Sequence, residues 1–155
     1  MAQSIMSVEH RAAQLWPLLA YAATRHQILT YGEVGKLVGV APRGLGRLLE
    51  PLQSYCLLRK IPPITAIVVR RNTGRPGSGF SATPDPTQEQ HQVFGFRWLD
   101  YHSPTPAHFA AAVRALPSCG GFDAHELDGA RQAFKALVAK SRRAGRHKRL
   151  SASAG

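Results

Sequence analysis

The sequence predicts a mainly helical α+β fold, and three observations carry that expectation. Apolar residues recur at helical spacing over most of the chain. Only one short run, Ile64 to Val69, is rich in the β-branched residues that favour strands. The length, 155 residues, is enough for one domain with its own core and too little for two ordinary ones. The expected architecture is one domain over 1–139, followed by a basic, flexible tail over 140–155.

The elements follow in chain order. Val8, Ala12, Leu15, Trp16, Leu19, Ala22 and Ala23 share a helical face, with Trp16 as anchor. Pro17 either kinks this helix or opens a second one. Thr30-Tyr31-Gly32-Glu33 has the form of a capping box, in which the Thr hydroxyl and the Glu carboxylate satisfy each other's backbone N–H groups. The helix that follows should bury Val34, Leu37 and Val38 and stop at Gly39, which tolerates a left-handed cap.

After a short turn, Pro42 suits the start of a second helix, where its missing N–H costs nothing. That helix carries Arg43, Gly44, Gly46 and Arg47, and turns Leu45, Leu48 and Leu49 inward. Two helices joined by a short Gly turn, the second opening on basic and small residues, form a helix-turn-helix over 30–49. Pro51 should break it, leaving Leu52 to Arg59 as a separate short helix.

Pro62-Pro63 ends helical structure, and Ile64 to Val69 reads as a buried strand. Residues 70–77 form a turn with Arg70, Arg71 and Arg75. A strand and basic turn after a helix-turn-helix have the form of a wing. Residues 81–87 read as loop. From Gln88 the pattern fits helix or strand equally, with Val93, Phe94, Phe96 and Trp98 as its apolar positions. Thr105-Pro106 opens a helix through Ala115, Ser118 to Gly121 is a turn, and Asp123 to about Arg143 is helical. The expected fold is thus a winged helix-turn-helix-like core with a short sheet and additional C-terminal helices.

Charge narrows the partners. Lys plus Arg number 20 against 9 Asp plus Glu, a net +11. Such an excess favours polyanions, nucleic acid first and then anionic membrane surface. Lys140, Arg142, Arg143, Arg146, Lys148 and Arg149 crowd near the C-terminus, as a solvated tail, a phosphate clamp or both. No run approaches the roughly 20 apolar residues that span a bilayer, and Met1 to His10 has no signal-peptide pattern. Cys56 and Cys119 lack disulfide-framework or zinc spacing and suit a reducing, cytoplasmic setting.

Catalytic signals are weak. There is no P-loop, GxSxG or HExxH pattern, and no cofactor or metal site is expected. His102 and His108 read as surface or capping residues. For a small nuclease, or an accessory subunit of a mobile-element or defence system, Asp85, Glu89 and Asp100 are metal-ligand candidates by elimination only.

Tyr31-Gly32-Glu33-Val34, Leu37-Val38-Gly39, Arg43-Gly44-Leu45-Gly46 and the stretch Pro63 to Phe80 together resemble the DNA-binding domain of alkylguanine-DNA alkyltransferases and alkyltransferase-like proteins. The resemblance covers residues 30–80. It implies a second helix docked in the minor groove, with Arg43 filling the gap left by a flipped nucleotide. It also implies a backbone contact from Tyr31 and close approach at Gly44 and Gly46. The family's Pro-Cys-His-Arg motif is missing, with Ile64-Thr65-Ala66 in its place, and Pro51 to Lys60 is an insertion. Alkyl transfer needs a thiolate activated by a neighbouring histidine, and Cys56 has none nearby in sequence.

The expected function is therefore non-catalytic binding of duplex DNA. Arg43 and Arg47 would work in the groove, with Gly44 and Gly46 allowing close approach. Tyr31, Lys36, Arg70, Arg71 and Arg75 would lie on phosphates. A winged helix that binds only protein is a third reading.

Overall fold

A computed structural model of the chain describes residues 6–77, 86–117 and 123–153. The described residues are mostly helical with one small sheet. In order it comprises α1 (Val8–Thr24), β1 (Leu29–Thr30), α2 (Tyr31–Val38), α3 (Leu45–Arg59), β2 (Val68–Val69), α4 (Pro86–Gly95), α5 (Pro106–Ala115) and α6 (Ala124–Ala152). Among the described residues no helix is long and apolar enough to cross a membrane.

The core is centred on Trp16 of α1, which is fully buried. Its ring meets those of Tyr55 and Trp98 edge-on, each at 5.6 Å, and that of Phe109 at 6.1 Å. These rings come from α3, the turn after α4, and α5, so one side chain joins three parts of the chain. Edge-to-face pairs of this kind add about 0.5–1.5 kcal/mol each beyond the area they bury. Phe134 and Val138 of α6 close the core from outside. Pro17 neither ends nor divides α1, which runs unbroken from Val8 to Thr24.

Pro51 does not break α3 either. The expected separate helix at Leu52 to Arg59 is the second half of one 15-residue helix. An interior proline costs about 3 kcal/mol. Leu45, Leu48, Leu49, Leu52 and Cys56 all lie buried along α3, at spacings of three and four that continue straight across Pro51. Burying a Leu side chain contributes roughly 1.5–3 kcal/mol, so packing outweighs the proline.

Ile64 to Val69 is buried throughout, but it is not one strand. Ile64–Ile67 is a 3-10 turn, and only Val68–Val69 is extended. The limit is the partner. β1 offers two extended residues before Thr30 caps α2, and Leu29 pairs with Val68 and Thr30 with Val69 in parallel. Gln88 onward is helical, and α4 gives way to a 3-10 turn over Trp98–Asp100. The expected loop at 81–87 falls mostly outside the described residues, while Pro86 and Thr87 already belong to α4. The turn expected at Ser118 to Gly121, which contains Cys119, lies outside the described residues.

The basic stretch from residue 140, expected as a flexible tail, continues α6 as helix through Ala152. Its side chains are exposed from residue 139 to 153, so it adds no core beyond Val138.

Candidate nucleic-acid interface

The site begins with the parallel register of β1 and β2. Parallel strands leave the sheet at the same end. β1 leads directly into Tyr31 at the start of α2, and β2 leads into Arg70. The first turn of α2 and the arginine turn therefore emerge side by side.

The start of α2 is fixed by its cap. The Glu33 N–H donates to Thr30 Oγ1 at 3.2 Å, and the Thr30 N–H donates to Glu33 Oε2 at 2.8 Å. At the other end Gly39 adopts the left-handed conformation, φ 70° and ψ 34°. Arg11 of α1 donates from Nη1 to the Val38 carbonyl at 2.7 Å, a cation on the negative end of the helix dipole. Leu37, expected in the core, is 61% exposed. The inward face of α2 carries Val34 and Gly35 instead. A Cβ at Gly35 would overlap the Val40 carbonyl oxygen, so the glycine lets the turn fold tightly under α2.

That turn delivers Pro42, Arg43 and Gly44 as a 3-10 turn running directly into α3. The arginine turn closes on itself, with the Arg70 N–H donating to the Arg75 carbonyl at 2.8 Å and the Gly74 N–H to the Arg70 carbonyl at 2.8 Å. Gly74 sits at φ 65°, a conformation that favours glycine. A wing would require a strand returning antiparallel to β2. The described residues contain none, and the position for it, 78–85, lies outside them.

These three segments surround an open cleft of about 1040 Å³. Tyr31, Lys36, Arg43, Gly46, Arg70 and Arg71 line it. These are six of the nine residues expected at the interface. The other three, Gly44, Arg47 and Arg75, lie outside the lining. Gly44 has an internal explanation, because a Cβ there would press on Val40 Cγ1 at 3.2 Å. Gly46 differs, with nothing within 4 Å of such a Cβ, so its backbone faces open space. Arg47 and Arg75 are exposed.

Thr30, Gly32, Pro42 and Gly77 also line the cleft. Sequence reasoning gave them only local roles as cap and turn residues. Their nearness to the arginines follows from the strand pairing, which the sequence does not display. Glu33 is the one carboxylate among the described lining residues, and its Oε2 is held by the Thr30 N–H. The cleft is thus cationic, with Gly32, Gly46 and Gly77 among its lining residues.

No group of three His, Cys, Asp or Glu side chains among the described residues is placed to hold a metal. Asp100 pairs with Arg97 Nε at 2.7 Å, Glu89 is buried on α4, and Asp85 lies outside the described residues. Cys56 is fully buried inside α3, closed to any substrate. His108 is a cap, as expected, its Nδ1 accepting from the Thr105 N–H at 3.1 Å.

Comparison with protein-family models, curated proteins and solved structures gave no match to this chain.

Proposed function

We propose that this protein binds duplex DNA without acting on it chemically, through the helix-turn-helix over 30–49 and the arginine turn over 70–77. One observation carries the reading: Lys36, Arg43, Arg70 and Arg71, from three separate segments, face one open cleft. Four cations around a groove match the phosphate backbone, the dominant source of affinity for DNA. Arg43 stands at the start of the second helix of the pair, the position from which such helices reach base edges. Gly46, open beside it, permits close approach of the nucleic acid backbone. Tyr31 lines the same cleft.

The alkyltransferase-like resemblance supports the same placement of Arg43 and Tyr31. It extends to binding only, since the buried Cys56 supports no alkyl transfer.

Fluorescence anisotropy with a labelled duplex tests the proposal. Neutralising four phosphates gives a log–log salt slope of about −3.6, at about −0.9 per phosphate. Arg43→Ala should weaken binding about tenfold and make the slope shallower by about one contact. An unchanged affinity and slope in Arg43→Ala and in Arg71→Ala would remove the cleft from the mechanism.

A further inference from the structure

A second cationic cleft lies at the far end of α3. Arg59, Lys135, Arg142 and Arg143 line it, with Val138 and Ala139 between them, and its volume is about 390 Å³. The α6 residues recur at spacings of three and four, so they share one helical face. No carboxylate is among the described lining residues.

Arg59 is the built part of this cleft. Its guanidinium lies over the rings of Phe134, at 4.9 Å from the centroid, and Tyr55, at 5.7 Å. Its buried Nε has no hydrogen-bond partner. A guanidinium held over two rings is fixed in place, and Arg59 also lines the cleft. Arg142 and Arg143 line the same cleft from the exposed part of α6.

The two clefts are well separated. Gly46 borders the first and Arg59 the second, thirteen residues apart on one helix. A rise of 1.5 Å and a turn of 100° per residue place them about 20 Å apart along α3, and about 140° around it. One straight duplex seated against Gly46 does not reach a cleft that faces so far away.

We propose that the Arg59–Lys135–Arg142–Arg143 cleft holds the phosphate backbone of a second duplex segment, so that one chain bridges two pieces of DNA. This rests on the reading of the first cleft as a duplex site. An anionic membrane is the less favoured occupant. A surface-seeking helix needs an apolar face to bury among lipids. The exposed part of α6, residues 139–153, carries Leu150 as its one large apolar side chain.

The test mixes the full chain with donor-labelled and acceptor-labelled duplexes of about 12 base pairs, little more than one helical turn. The unaltered protein should bind two duplexes per chain and bring the labels into energy transfer. Lys135→Gln/Arg142→Gln/Arg143→Gln should bind one duplex and lose the transfer. Arg59 is kept in that variant because it packs on the core, and circular dichroism confirms the fold. Arg43→Ala/Arg71→Ala should also lose transfer, while keeping the duplex at the second cleft.

Transfer retained by the triple variant overturns the proposal, since bridging then arises from self-association or from the first cleft. A stoichiometry of one in the unaltered protein also overturns it. The duplex reading of the first cleft survives that result if Arg43→Ala/Arg71→Ala abolishes binding, and falls with it if neither variant changes binding. A triple variant that keeps two duplexes but loses binding to phosphatidylserine vesicles reassigns the cleft to a membrane.

Discussion

Gly77 lies against the hydroxyl of Tyr31, so closely that a methyl group at Gly77 would overlap the phenol oxygen. The end of the arginine turn is thereby seated on the first residue of α2, and both residues line the cationic cleft. Gly77→Ala should push the tyrosine ring aside and weaken duplex binding severalfold. Its cost in stability should be no more than about 1–3 kcal/mol, the usual range for overpacking, because the obstacle is the mobile end of a side chain. Tyr31→Phe in the same chain removes the overlapping oxygen and should recover part of the stability. Denaturant melts and anisotropy on the single and double variants form the required cycle.

Glu33 serves the helix cap and opposes the cleft's positive field. Glu33→Gln keeps an oxygen acceptor for the Thr30 N–H, since Gln also occupies this place in capping boxes. Melting temperature should change little, and affinity for duplex should rise severalfold at low salt. Thr30→Ala, by contrast, should lower stability by about 1 kcal/mol through loss of the cap. A fall in affinity on Glu33→Gln at unchanged stability would contradict the cationic reading of the cleft.

Lys60 ends α3 in the left-handed conformation, at φ 55° and ψ 40°. A side chain there costs roughly 1–2 kcal/mol, partly offset by the extra unfolded-state freedom of glycine. Lys60→Gly should raise stability by about 0.5–1 kcal/mol in urea titrations.

His108 links stability to pH. Partial burial, then the positive fields of Arg59 and Arg142, lower its pKa below the usual histidine value. The groups facing it come from α3, where Tyr55 and Arg59 stand, and from α6, where Arg142 stands. A depressed pKa means the unfolded chain binds the proton more readily. The contribution is then fully present above about pH 6.5 and is lost as pH falls toward the folded-state pKa. Protonation also removes the Nδ1 acceptor from the α5 cap. His108→Gln keeps an acceptor at that cap position and should flatten this part of the curve. Thermal melts of both chains between pH 5 and 8 measure the difference.

Much of the local structure was legible because it rests on neighbouring residues. The capping box at Thr30 and Glu33, the left-handed Gly39 and the proline-led start at Pro42 are all short-range devices. The errors have tertiary causes. Pro51 reads as a break until the buried leucines on both sides of it are weighed together. Ile64 to Val69 reads as a strand until its partner turns out to be two residues long. Leu37 reads as core until Gly35 is seen to take the inward position under the Val40 carbonyl.

Helical character, cationic charge and six of the described cleft-lining residues can be read from the amino-acid order. Those follow from composition, periodicity and capping chemistry, which act over a few residues. That Lys36, Arg43, Arg70 and Arg71 share one opening, and that Arg59 joins α6 in another, emerges only from the folded chain. Both results come from long-range packing. A parallel pairing of four residues sets α2 beside the arginine turn, and a single unbroken α3 holds the two clefts about 20 Å apart.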